Sequence, residues 1–246
     1  MTQVSEPKKV FVASSEAKGK AKQLRLFSLL LWIIAIAGEI FTIIKLLKTE
    51  MLTWLIVALV SILILTIVGS VLWKKANRLD PASEKDKVKF FIQNQLGAII
   101  AVIAFLPLVI FIFTNKDLDK KSKSIAGVIG IIGLLVAGIF GADFDPPSIE
   151  KYTEDINSQT QTLKEINLGI DHVYWTPKGN KYHIFETCQH IKNRDISEGT
   201  VKQVWEDKGI SELCLTCKKK AEKENTSIEN GGDFLDLENT EEIPTE

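Results

Sequence analysis

The chain has 246 residues, 46% of them hydrophobic, and this average conceals a steep gradient, because the apolar residues are concentrated before residue 143. So uneven a distribution excludes a single soluble domain of uniform composition. The net charge of -1 averages a basic first half with an acidic tail, so it argues neither for nor against a nucleic-acid partner.

Residues 1–25 are polar, Lys-rich and without periodicity, and read as a disordered basic arm able to lie against anionic lipid. Residues 26–142 hold four apolar runs, Leu26 to Leu47, Leu52 to Trp73, Phe90 to Thr114 and Ser124 to Ala142. Each reaches or nearly reaches the roughly 20 residues that a helix needs to cross a hydrocarbon core of about 30 Å. Very apolar core helices of a soluble protein would keep a polar stripe, and "LTWLIVALVSILILTIVGSVLW" has none. The runs therefore predict a four-helix transmembrane domain embedded in a lipid bilayer. The first run lies behind a polar arm, is longer than the apolar part of a signal peptide and lacks a clear cleavage site, so it reads as a retained helix.

Lys and Arg beside helix ends resist translocation. The arm (Lys8, Lys9, Lys18, Lys20, Lys22, Arg25) and the second loop (Lys74, Lys75, Arg78, Lys85, Lys87, Lys89) are richer than the first and third loops, although the third carries Lys116, Lys120, Lys121 and Lys123. This predicts a multi-pass cell-membrane protein with both termini in the cytosol. All three cysteines then sit in a reducing compartment, where thiols bind metal instead of pairing.

Inside the spans Glu39 is the only acidic residue, a candidate intramembrane polar site because a carboxyl there is costly. The plainer reading places it near the outer interface, or protonated and bonded to a neighbouring helix near Gln93, Asn94 or Gln95. Pro107 predicts a kink in the third helix. The fourth helix presents Ala126, Gly130, Gly133, Ala137 and Gly141, small residues that let helices approach closely.

Pro146 and Pro147 close the membrane part. Ile149, Tyr152, Ile156, Leu163 and Ile166 then form the narrow seam of an amphipathic linker helix over 148–168, interrupted by Gln159. From 171 to 220 the pattern predicts a small α+β domain. "VYWT" and "KYH" flank the turn residues Pro177 to Asn180 and fit a hairpin. Thr200, Gln203 and Gly209 punctuate a short helix that buries Val201, Val204 and Trp205. Residues 221–246 are acidic and read as a disordered tail, with "DFLDLE" a possible docking motif inside it.

Cys214 and Cys217 in C-x2-C form half of a tetrahedral metal site, and Cys188 supplies a third thiolate. His183, His190 and His172 are the candidates for a fourth ligand. Arrangement favours His183, which gives His-x4-Cys followed by Cys-x2-Cys, two short pairs about 25 residues apart. His190, two residues from Cys188, would strain the closure.

"VYWTPKGNKYHIFETCQHI" followed by "GTVKQVWEDKGISELCLTC" resembles the small zinc modules similar to the N-terminal metal-binding domain of the Ada DNA-repair protein, over about Val173 to Cys217. The resemblance implies Zn2+ as cofactor, with His183, Cys188, Cys214 and Cys217 as ligands, and a bacterial source, hence the bacterial inner membrane. In the Ada module the first ligand is the cysteine that accepts a methyl group from DNA phosphotriesters. His183 stands at that place, so methyl-transfer repair is not implied. Four protein ligands also leave no open position for an activated water, which makes the zinc structural.

No P-loop, dinucleotide-binding turn, serine-hydrolase elbow or HExxH motif occurs, so no enzymatic activity is expected. The expected protein is an α-helical integral membrane protein of four transmembrane helices with a small α+β zinc-binding C-terminal domain. It would present that domain to an unidentified cytosolic protein or nucleic acid. A second reading makes the helices a homo-oligomeric channel or membrane effector regulated by the zinc module, supported by Glu39 and the small-residue face alone.

Overall fold

In a computed structural model, residues 10–231 are described. Two compact units divide them, one over Val10–Tyr152 and one from Thr153 onward.

The first unit is a bundle of four helices, α1 (Ser15–Lys45), α2 (Leu52–Leu79), α3 (Lys87–Thr114) and α4 (Lys120–Gly141). All four are long and apolar enough to cross a membrane, consistent with a multi-pass membrane protein. Helix α1 packs on α2, and α3 on α4, with α2 also touching α3 and α4. A core of Leu55, Leu59, Phe105, Leu108 and Ile112 is buried between the helices, but the exterior is unlike that of a soluble bundle. Ile33, Phe41, Ile64, Ile110, Ile132 and Leu135 face outward, whereas Ser28, Thr42, Thr66, Ser70, Asn77 and Asn94 are buried within. An exterior of this kind suits lipid, where apolar side chains need no cover and helices associate through small residues.

Those small residues act as expected. Ala126, Gly130, Gly133, Ala137 and Gly141 of α4 are all buried. Phe105 of α3 lies over Gly133, where a Cβ would meet its ring at 2.9 Å, and a Cβ on Gly97 would meet the Gly141 carbonyl at 2.7 Å. Helix α3 continues through Pro107 to Thr114.

Polar groups fasten the ends of the bundle. Arg25 donates to the Asp80 carboxylate and to its carbonyl, both at 2.7 Å. Asn77 donates to the Gln93 carbonyl at 2.8 Å and to Asn94 Oδ1 at 3.3 Å. At the other end the Thr49 N–H donates to the Asp117 carbonyl at 3.2 Å.

Two expected boundaries move. Helix α1 starts at Ser15, so residues 15–25 are helical and not a disordered arm. The Ser14 hydroxyl caps the Ala17 N–H, Glu16 pairs with Lys20 a turn later, and Ala17 and Ala21 are buried. Composition hid this, because Lys-rich helix and Lys-rich coil read alike. At the other end, residues 221–231 of the expected disordered tail belong to α7 (Leu215–Gly231). Glu222 and Glu224 each follow a lysine by four positions, pairing with Lys218 and Lys220, and Asn225 donates to the Glu165 carbonyl at 2.9 Å. The rest of the tail, with its "DFLDLE" stretch, lies outside the described residues.

The division between the units falls within α5 (Ile149–Ile166), the expected linker helix. Beyond it come β1 (Val173–Trp175), β2 (Ser197–Gly199), α6 (Val201–Lys208) and α7. Strands β1 and β2 are antiparallel, with Tyr174 opposite Glu198. The expected hairpin shrinks to one bridge, in which Tyr174 and His183 exchange N–H···O bonds of 2.7 Å on the other edge of β1. Helix α6 has its Thr200–Gln203 capping box and a left-handed Gly209, and buries Val201, Val204 and Trp205 as expected.

Candidate metal centre

Each donor is placed by backbone bonds before any metal is considered. The segment carrying His183 is held on both sides, through Tyr174 and through Tyr182, whose N–H donates to the Glu212 carbonyl at 2.9 Å. The Cys214 N–H returns a bond of 2.8 Å to the Tyr182 carbonyl, which brings the C-x2-C loop beside His183. Cys188 sits in a tight turn, its N–H donating to the Phe185 carbonyl at 3.1 Å and its own carbonyl accepting from Ile191 and Lys192. Cys217 lies in the first turn of α7, where the Lys218 N–H donates to the Cys214 carbonyl at 3.0 Å.

These turns bring His183, Cys188, Cys214 and Cys217 together, with one donor atom from each lying within 4.8 Å of the others. All four are buried, between 1% and 8% exposed, and none of the cysteines is in a disulfide. His183 Nδ1 is 3.6 Å from Cys217 Sγ. A tetrahedral ion with Zn–S near 2.3 Å and Zn–N near 2.0 Å would separate these two donors by about 3.5 Å. The donor set therefore fits a metal ion of that size.

Electrostatics agree with a cation at this point. Burial, with the neighbouring His190, holds His183 below the usual histidine range, so its imidazole is neutral and free to coordinate. Burial pushes the Cys217 thiol up to about 12, against N–H donation from Phe185 and Ile184. Burial also raises Cys214, but the Cys217 and Thr216 N–H groups, together with the Cys188 and Thr216 side chains, hold this thiol below its ordinary value. Two pairs of amides thus already aim at the two sulfurs.

The remaining histidines stay outside the cluster. His190 is exposed, its Nε2 3.2 Å from Thr216 Oγ1, and its ring centroid lies 6.4 Å from that of His183. His172 is 3.4 Å from Glu198 and stacks edge-on against Tyr174. Beside the cluster an open cavity of about 510 Å³ is lined by His183, His190, Lys181, Arg194, Leu215 and Thr216 among others.

Gln159 is the residue whose role the sequence concealed. Its Oε1 accepts from Tyr182 Oη at 3.0 Å and from Trp205 Nε1 at 3.1 Å, and its Nε2 donates to the Ser211 carbonyl at 2.9 Å. The break in the α5 seam is the pin joining α5 to the segments around the candidate donors. A lone Gln in an apolar stripe is the signal that points to it.

Glu39 is 3% exposed, facing the inside of the bundle and not its surface. None of the side chains considered as its partner reaches it. Gln93 donates to the Asp80 carbonyl, Asn94 to the Phe90 carbonyl, and Gln95 to the Asp143 carbonyl, all at the end of the bundle where α3 begins. These amides fasten the turn and the exit of α4, where backbone carbonyls are otherwise left without donors.

In comparisons with known proteins, no family model, curated protein or solved structure matches the chain.

Proposed function

We propose that this is a non-enzymatic integral membrane protein that holds a structural zinc module at the cytosolic face to bind a protein or nucleic acid. One observation carries the reading: a closed set of one imidazole and three thiols follows four membrane-length helices in the same chain. Mixed sulfur and nitrogen donors in a tetrahedral set suit zinc over the hard, oxygen-seeking cations. With all four positions filled by protein there is no place for a reacting water, so the metal's task is to fold the domain. The resemblance to Ada-type modules points the same way. So does the cytosolic orientation inferred from the Lys and Arg distribution, since a reducing compartment keeps three thiols free for metal.

Between the two partner classes, charge pairing favours protein. Lys181, Lys218 and Lys220 face Glu212, Glu222 and Glu224 at 3.1, 3.9 and 3.7 Å, and Lys220 also covers the Phe185 ring at 4.4 Å. Lysines so occupied contribute little to the positive field that attracts a phosphate backbone. Arg194 and the exposed Leu215, both lining the cleft, offer the mixed polar and apolar contact that protein interfaces use.

The test is the metal content of full-length protein purified without added metal. One zinc per chain, lost in Cys214→Ser, is expected. A folded C-terminal unit without metal would overturn the reading. Salt-sensitive binding of DNA or RNA to the same preparation would move the partner to nucleic acid.

A further inference from the structure

Inside the bundle Glu39 has an environment that the metal module does not explain. Its Oε1 is buried without a hydrogen-bond partner. The backbone N–H of Leu108, itself fully buried, is the amide that lies toward the carboxyl group. Leu108 follows Pro107, and proline has no N–H and crowds the carbonyl four residues before it, here Ile103. Pro107 therefore leaves the Ile103 carbonyl without its helical donor, next to the amide that lies toward Glu39.

Along the helices, ionisable side chains other than Glu39 are confined to the ends of the bundle. Along α1 the next ionisable residue is Lys45, six positions on and about 9 Å along the axis. Helix α2 carries no ionisable side chain before Lys74, α3 none after Lys89, and α4 none after Lys123. A carboxylate here would have one hydrogen bond and no counter-ion, the costliest way to bury the group. A metal cation would need several oxygen ligands. The nearest hydroxyl on α1, Thr42 Oγ1, is already donating to the Gly38 carbonyl at 2.7 Å.

We propose that Glu39 is a single-proton site of the helical bundle, carried as the neutral acid beside the turn of α3 where Pro107 removes one backbone donor. As the acid, one oxygen still accepts the Leu108 N–H, and the O–H becomes a donor near the Ile103 carbonyl that Pro107 leaves without its helical partner. Loss of that proton leaves an unpaired charge between α1 and α3. Proton occupancy and the packing of these two helices are thereby linked.

The test uses the full-length protein in liposomes and two readouts. A hydrophobic carbodiimide reacts with a protonated carboxyl: the acid proton goes to a carbodiimide nitrogen, the carboxyl oxygen bonds to the central carbon, and the adduct rearranges to a stable N-acylurea. Peptide mass spectrometry locates it. Infrared spectroscopy of the same sample reads the C=O stretch of the acid form directly. At neutral pH, labelling at Glu39 and an acid band that vanishes in Glu39→Gln are expected. Both should fade together at higher pH, by about tenfold per pH unit above the midpoint, as a one-proton group requires. Wild-type protein with neither label nor band, or a band that survives in Glu39→Gln, would overturn the proposal. Labelling suppressed by Na+ or K+ at fixed pH would also overturn it, making the site one for a cation.

Discussion

The two units solve the burial problem in different ways. The bundle buries Leu55, Leu59, Phe105 and Leu108 between helices that approach through small residues, as where Gly97 meets Gly141, yet it also turns large apolar side chains such as Ile33 and Leu135 outward. In the C-terminal unit Val173, Trp175, Val201, Val204 and Trp205 point inward with Ile156, Leu163, Tyr182 and Ile184, a small core for an independent fold. To that core it adds directional contacts, the three hydrogen bonds made by Gln159 and four donors gathered where a metal ion could bind. A bundle that depends on shape should tolerate polar changes in the C-terminal unit. A module that depends on a few bonds should fail when one is removed.

The largest expected effect is at the donors. Structural zinc contributes roughly 10–16 kcal/mol of apparent binding free energy in small modules, far more than a domain of this size has to spare. Cys217→Ser should therefore abolish metal content and unfold the C-terminal unit, seen as loss of hydrogen-exchange protection there, with the helices of the bundle still protected. Acid should do the same reversibly. Three thiolates and an imidazole must be free of protons to bind metal, so lowering the pH sets protons in competition with it. Zinc release followed with a chromogenic chelator should be steeper than a one-proton titration. The bundle's circular dichroism should remain while zinc leaves.

Gln159→Leu comes next. It orphans the Trp205 Nε1 and Tyr182 Oη donors, which costs about 1–3 kcal/mol for each that finds no water. Thermal unfolding of the C-terminal unit should shift down while one zinc per chain is retained. On the other side of the comparison, Gly97→Ala places a Cβ 2.7 Å from the Gly141 carbonyl. Overpacking of this kind costs about 1–3 kcal/mol, so the bundle in detergent should unfold at lower temperature with metal content unchanged.

What could be read from the sequence follows the same division. The four membrane-length helices are legible because span length and apolarity are local properties, and the donor set because C-x2-C is a short-range pattern. Pairings between distant segments are not. Strand β2 is only Ser-Glu-Gly and has no β propensity of its own. It forms because β1 lies beside it and because Asp171, just before β1, accepts from the Val201 N–H at 3.0 Å where α6 begins. The surroundings of Glu39 were equally hidden, since Gln93, Asn94 and Gln95 have carbonyl partners at the end of the bundle that no periodicity marks. Gln159 was visible only as an interruption, because the groups it satisfies lie 23 to 52 positions further along the chain.

The smallest expected effect is also the sharpest test of the donor assignment, because two histidines stand seven positions apart on either side of Cys188. His183 is buried with Nδ1 at 3.6 Å from Cys217 Sγ, while His190 is exposed and engaged with Thr216. His190→Gln should leave one zinc per chain and the same acid-release midpoint, costing at most about 1 kcal/mol for a solvent-accessible hydrogen bond. His183→Gln should lose the metal, since a neutral amide replaces the imidazole donor. If the two variants exchanged these outcomes, His190 would be the fourth ligand. The turn from Phe185 to Lys192 would then have to rearrange on binding metal, because its present bonds hold the His190 ring 6.4 Å from that of His183.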